Sequence, residues 1–506
     1  MKLTPREYQK RIFETCTKKN CLVVLPTGLG KTLIALMLAK ERVNKFPGSK
    51  ILFLAPTRPL VEQHYHSFKK DSDFENMHIF TGKINSKKRK EIWKNAQIIF
   101  STPQCIQNDL KNHLIDLKEV SLLIEDEAHR CLKNYSYTFV AKKYIDQAKN
   151  SRLLGLTASP SSEKEKIREI CKNLDIKDVE IRTRFSEDVK PYLQELTTDI
   201  IKVEFPPELK AIRSFLKKIY DKKIDELKKR KFLFQRVNKI TLLDLQKNLM
   251  RKITTGNKHF NILRAVSICA QAIKIQHALE LLETQTVETL NYYLQGLYDQ
   301  ARKKQSKGVV RLVNSKEFQE AYLLAISLKN TDFEHPKLER LKELIKEEFK
   351  EGFKAIVFSQ YRDSVNKINK ELTSAGFKSN VFIGQASGRL DGLSQKEQQQ
   401  ILQKFKDNKI NMLVSTSIGE EGLDIPEVNM VVFYEPVPSA IRKIQRRGRT
   451  ARLKPGKLVI LMTKGTRDES YHWAAHYKEK KMHEALEDFK NGLQKKQKDF
   501  SDFRQA

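Results

Sequence analysis

Short, wholly apolar runs punctuate the first 200 residues: "CLVVL" at Cys21–Leu25, "ILFLA" at Ile51–Ala55, "QIIFS" at Gln97–Ser101, "LLIED" at Leu122–Asp126 and "RLLGLT" at Arg152–Thr157. Each is strand-length and lacks the polar alternation of a strand exposed on one side, so buried parallel strands are predicted. Helical patterns separate them, the signature of a parallel sheet wrapped by helices. A second series begins at Pro336, which suits the first turn of a helix through "KLERLKELIKEEF". Strands are predicted there in "KAIVFS", "SNVFIG", "NMLVST", "MVVFYE" and "KLVILMT". Between the halves, from 206 to 330, strand signals fade. Ile212, Phe215, Leu216, Ile219, Ile224 and Leu227 fall on one helical stripe. The expected organisation is an α/β domain over 1–205, an all-helical insert over 206–330, a second α/β domain over 331–476, and a polar tail over 477–506 that is a frayed helix or disordered.

The charge adds a class of partner to this organisation. The 506 residues carry a net charge of +33, an excess that points to a polyanion partner, most often nucleic acid. The insert alone holds 25 Lys and Arg against 11 acids, including "KKRK" at Lys228–Lys231. That density fits a surface for a phosphate backbone. The same tetrapeptide at Lys87–Lys90 reads as a solvated face. No apolar run reaches the roughly 18 residues of a spanning helix, and "MKLTPREYQK" lacks a secretory hydrophobic region. The six cysteines are scattered without a C-x-x-C pair, so a reduced, cytoplasmic chain is expected, with no membrane partner.

Candidate chemistry sits at strand ends. "LPTGLGKT", residues Leu25, Pro26, Thr27, Gly28, Leu29, Gly30, Lys31 and Thr32, follows a strand and opens an apolar helix. That is the context of a phosphate-binding loop, although the strict pattern has Gly at the position of Leu25. Gly28 and Gly30 would let backbone N–H groups turn onto phosphate oxygens. Lys31 would neutralise phosphate charge and Thr32 would offer its hydroxyl to Mg²⁺. In "LLIEDEAHR", Asp126 is placed to serve the metal and Glu127 to deprotonate an attacking water. Glu125 continues an apolar strand, and a salt bridge to a local Lys is its expected partner.

"LPTGLGKT", "APTRPL", "STPQ", "DEAH", "LTASP", "VSTSIGEEGLDIP" and "QRRGRTAR" occur in the order found in superfamily-two helicases. Through "FIGQAS", "IGEEGLDIPEVNMVVFYEPVPSAIRKIQRRGRTAR" and "KGTRDE" the chain resembles, more narrowly, the archaeal Hef proteins and the Fanconi anaemia M-type DNA translocases. The resemblance implies two RecA-like parallel-sheet domains with ATP between them. It implies that Gln9 reads adenine, that Thr157 and Ser159 couple hydrolysis to movement, and that Gly422 and Asp424 lie near the nucleotide. Gln445, Arg449 and Arg452 would face the triphosphate from the second domain, the arginines as fingers, while Arg446 and Arg447 would serve structure or DNA. Thr57, Arg58, Thr102 and Thr416 would hold a nucleic-acid backbone without reading its sequence.

The implied activity is ATP-dependent translocation or unwinding, 3′-to-5′, on forked or junction DNA in replication-fork repair. RNA-dependent ATPases of the Dicer and RNA-sensor type also carry helical inserts and remain the alternative. No E-R-K-x-x-x-D nuclease segment is present. "QKDFSDF" at Gln497–Phe503 faintly resembles a sliding-clamp-binding peptide, with chance the better explanation.

Overall fold

The computed structural model describes residues 3–234, 237–256, 259–331, 333–385, 392–420, 425–451 and 454–502, with side chains to 492. Two parallel sheets flank a helical bundle. The strands of the first are β1 (Cys21–Val24), β2 (Lys50–Leu54), β3 (Met77–Phe80), β4 (Ile98–Ser101), β5 (Val120–Asp126), β6 (Leu153–Thr157) and β7 (Asp178–Ile181). They lie in the order β3-β4-β2-β5-β6-β1-β7. β1, β4, β5 and β6 are buried along their whole length, which is why they read as continuous apolar runs. The edge strands "MHIF" and "DVEI" are half-exposed and more polar, and gave no such signal.

The second sheet joins β8 (Leu196–Val203), β9 (Ala355–Phe358), β10 (Ser379–Phe382), β11 (Met412–Ser415), β12 (Met430–Phe433) and β13 (Gly456–Thr463), in the order β10-β11-β9-β12-β13-β8. β8 pairs with β13 over all eight residues, from Leu196↔Gly456 to Val203↔Thr463. The second sheet therefore takes its edge strand from the 1–205 segment, ahead of the insert. β8 is missed by the apolar-run criterion because an edge strand with an exposed face alternates.

Among the described residues, six helices build the insert: Pro207–Lys229, Lys239–Thr254, Phe260–Thr284, Val287–Arg302, Lys307–Val313 and Lys316–Lys329. Ile212, Leu216, Ile219, Ile224 and Leu227 are buried as their stripe requires, with Phe215 partly buried beside them. The insert meets the second domain around a fully buried ion pair. Lys337 Nζ lies 2.8 Å from Asp468 Oδ2 and donates to Thr284 O at 2.8 Å; Asp468 also accepts from the Thr463 N–H at 3.0 Å.

The tail differs from expectation. It continues a single helix, Arg467–Asp502, whose Met482, Ala485 and Leu486 are buried in the first domain's core. The helix thus leaves the second domain and straps back onto the first, where Asp488 pairs with Lys164 at 2.6 Å. Helical spacing of Met482, Ala485, Leu486 and Phe489 within a Lys-rich stretch was the overlooked signal. Among the described residues no helix is long and apolar enough to cross a membrane. All six cysteines are buried free thiols.

Candidate nucleotide site and nucleic-acid interface

The loop after β1 turns through Gly28 and Gly30, both at positive φ (84° and 78°), before the helix Lys31–Lys45 begins. A Cβ at Gly30 would lie 2.4 Å from Gln9 Nε2, so only glycine allows Gln9 to approach. Gln9 Nε2 donates to Leu29 O at 3.1 Å, and Tyr8 Oη donates to the same carbonyl at 2.8 Å. Lys31 Nζ reaches back to Leu25 O at 2.8 Å.

β6 pairs with β1 and β5 with β6, all parallel, so the three strands end on the same side of the sheet. Asp126 is buried, and its Oδ2 is 2.8 Å from His64 Nε2; His64 Nδ1 is 3.4 Å from Thr32 Oγ1. One imidazole therefore spans the two expected metal ligands. Burial opposes the Asp126 charge, but His64 and Lys31 together outweigh it and hold the carboxyl below its ordinary range. Thr32 and Asp126 are hard oxygen donors on facing elements, a set that fits Mg²⁺. His64 was not anticipated. Its signal is a histidine on the buried stripe Leu60, Val61, His64, Phe68 of the helix Arg58–Asp71.

Glu127 adopts a left-handed backbone (φ 52°) that turns the chain off β5. His129 Nδ1 lies 3.2 Å from Glu127 Oε2 and 3.2 Å from Thr157 Oγ1, and Thr157 Oγ1 accepts from the Ser159 N–H at 3.1 Å. The carboxylate motif and the expected coupling segment are thus one connected group. The salt bridge expected of Glu125 is not formed. Its carboxyl is fully buried, neither oxygen meets a nitrogen or oxygen donor, and burial pushes its pKa well up against a smaller opposing effect of the Cys131 thiol.

The second domain brings its arginine segment to the phosphate loop. Thr27 Oγ1 donates to Gly448 O at 3.4 Å, and a Cβ on Gly448 would collide with that hydroxyl. Gln445 and Arg449 are buried. Arg449 Nη2 donates to Glu420 O at 2.7 Å. Arg446 Nε bonds Glu420 Oε1 at 2.7 Å and its guanidinium lies over Phe358 and Phe433, so Arg446 serves structure. Arg447 pairs with Glu479 of the C-terminal helix at 2.9 Å. Gly422, Asp424 and Arg452 lie outside the described residues, as do the side chains of the clamp-like peptide.

Thr57 and Thr102 precede helices that start at the ends of adjacent strands β2 and β4, and Thr416 follows β11 in the second sheet. Arg58 pairs with Glu62 at 2.7 Å. It lines a cleft of about 750 Å³ between the helices Arg58–Asp71 and Gln395–Lys406, with Lys70, Lys83, Lys396 and Lys406 also on its walls. The Lys87–Lys90 run is not a simple solvated face. Arg89 is buried and its Nε bonds Asp109 Oδ2 at 2.7 Å.

Three family profiles match this chain: "DEAD/DEAH box helicase" over residues 6–167, "Putative ATP-dependent RNA helicase, helical bundle" over 208–332, and "Helicase conserved C-terminal domain" over 336–454. The crystal structure of the Pyrococcus furiosus Hef helicase domain superposes with a TM-score of 0.71 at 42% identity, covering 93% of this chain and 98% of that one. The chain belongs to the Hef-type superfamily-two helicases. A Methanocaldococcus jannaschii protein described as a "Putative ATP-dependent RNA helicase" is 41% identical over 96% of this chain and 61% of its own length. The mouse "Fanconi anemia group M protein homolog" is 32% identical over 92% of this chain and 25% of its own length. This Hef-type chain thus spans about three-fifths of the first relative and a quarter of the second.

Proposed function

We propose that the chain is an ATP-hydrolysing motor that translocates on DNA, 3′-to-5′, and acts on forks and four-way junctions. The observation that carries the reading is the contact of Thr27 with Gly448, which sets a lysine-and-carboxylate face against an arginine segment across one seam. Ligands of open parallel sheets bind at such strand ends. ATP would lie with its phosphates on the Gly28–Thr32 backbone and Lys31, and its adenine near Gln9. Thr32 and Asp126 would hold Mg²⁺, which supplies neutralisation of phosphate charge. Glu127 accepts the proton of the attacking water, and Arg449 and Arg452 stabilise charge developing on the transferred phosphoryl group. The His129 bridge from Glu127 to Thr157 offers a route from hydrolysis to domain movement.

Thr57, Arg58, Thr102 and Thr416 grip the backbone of one strand, a role in keeping with the lysine-lined cleft beside Arg58. Alternating grips as the seam closes and opens would ratchet that strand. The Lys-rich insert selects branched substrates, and the name of a Drosophila melanogaster relative, "DEAD-box ATP-dependent DNA helicase Fancm", supports DNA. The printed names of the archaeal relative and of the helical-bundle profile keep double-stranded RNA as the second reading. ATP turnover measured in parallel with fork, junction, plain duplex and double-stranded RNA separates them. Stimulation greatest with fork or junction is expected; greatest stimulation by RNA overturns the DNA reading.

A further inference from the structure

The outer end of the insert, formed by the end of the helix Pro207–Lys229, the helix Lys239–Thr254 and the start of the helix Phe260–Thr284, has a small core of its own around Leu227, Leu242, Leu249 and Ile268. Its outside is unusual. Of the 15 large hydrophobic side chains exposed on the described residues, six fall between 234 and 263: Phe234 (81% exposed), Ile240 (69%), Leu243, Met250, Phe260 (74%) and Leu263. Ile240, Leu243 and Met250 recur at helical spacing on a face of Lys239–Thr254 turned away from its buried Leu242 and Leu249. A monomer rarely leaves such a face uncovered without a use for it.

The setting identifies the occupant. From 228 to 264 the chain has 11 Lys and Arg and one acid, Asp244. An apolar protein partner would meet that field as a cost, and an anionic partner without flat apolar faces would leave the phenylalanines idle. Unpaired nucleotides satisfy both, since they carry a phosphate on every residue and a π-face on every base, and aromatic side chains in basic surroundings hold them by stacking without regard to sequence. Paired duplex keeps its bases stacked on each other and offers only phosphate.

We infer that the outer end of the insert is a single-strand site, where Phe234 and Phe260 stack on bases left unpaired at a branch while the surrounding lysines and arginines hold their phosphates. This rests on the functional reading above and deepens it: the insert would recognise a fork by its unpaired nucleotides, and not by its bend.

The test uses the full chain, with anisotropy titrations on a fork with single-stranded arms and on blunt duplex of equal length, at several salt concentrations. Phe234→Ala/Phe260→Ala is expected to weaken fork binding about tenfold or more while duplex binding stays within about twofold. The salt slope should not change, because stacking releases no counterions. Phe234→Tyr/Phe260→Tyr should restore fork binding. A 2-aminopurine placed at the branch should be quenched by the wild-type chain and by the tyrosine variant but not by the alanine variant. Equal losses on fork and duplex, or an alanine variant that binds the fork as the wild type does, overturns the inference. So does unchanged DNA binding with loss of self-association in sedimentation, which would give the face to a second copy. A wild-type chain with no preference for fork over duplex would defeat the functional reading itself, and this inference with it, before any variant is compared.

Discussion

Replacing Lys337 by Met should be among the most damaging single changes to stability. The ammonium is fully buried and bonds the Asp468 carboxylate and the Thr284 carbonyl, both at 2.8 Å, with the Tyr434 ring centroid 5.0 Å away. Burial raises the Asp468 pKa, and the Lys337 charge works against that rise. Methionine fills much the same volume but leaves the carboxylate buried without its counter-charge, a loss of about 3–5 kcal/mol. Spread over a domain of 150–250 residues, that lowers Tm by roughly 6–20 °C. The double variant Lys337→Met/Asp468→Asn removes both charges and should recover a good part of the loss, giving a coupling energy above about 1 kcal/mol in a double-mutant cycle. Thermal and urea unfolding of the wild type, both single variants and the double variant supply the cycle. Additive losses, or a Lys337→Met shift below about 1 kcal/mol, would mean that the buried pair does not hold this junction together.

Other consequences are equally direct. His335 beside this pair is fully buried, its Nδ1 accepts from the Lys337 N–H at 3.2 Å, and burial followed by the Lys337 charge depresses its pKa well below the ordinary value. The unfolded chain takes up a proton near pH 6.5 that the folded chain refuses, so stability is complete above that pH. It falls by up to about 1.4 kcal/mol per pH unit below it. His335→Gln should flatten this acid limb in pH-dependent unfolding, and an unchanged limb would contradict the assignment. His64→Ala should raise the Mg²⁺ concentration needed both for half-maximal turnover and for binding of a fluorescent nucleotide, by about tenfold, with His64→Asn intermediate. An unchanged Mg²⁺ requirement in the binding assay would reduce His64 to packing.

The buried strands, the helical stripe of the insert and the strand-end motifs were legible because each reflects a strict local rule. A strand covered on both faces must be apolar, and a phosphate loop needs glycine at positive φ. What escaped was non-local. β8 is a polar edge strand whose partner, β13, lies more than 250 residues away across the insert. The C-terminal strap places three apolar residues among lysines, so composition hid a periodicity that makes sense only against another domain's core. His64 and His129 look like ordinary helix and turn residues until folding sets them beside Asp126, Glu127 and Thr157. Glu125 misled in the other direction, since a lysine-rich sequence suggests a partner that a sealed strand cannot admit.

In the proposed function, one nucleotide is served from both sides of the seam. Arg449, now bonded to the Glu420 carbonyl beside the phosphate loop, tests it most directly. Single-turnover ATP hydrolysis and equilibrium nucleotide binding should be measured with Arg449→Ala in the presence of forked DNA. Binding within a few-fold of wild type is expected, with a hydrolysis rate reduced about 10²–10³-fold, the scale of a lost transition-state donor. Hydrolysis at the wild-type rate would contradict service from both sides.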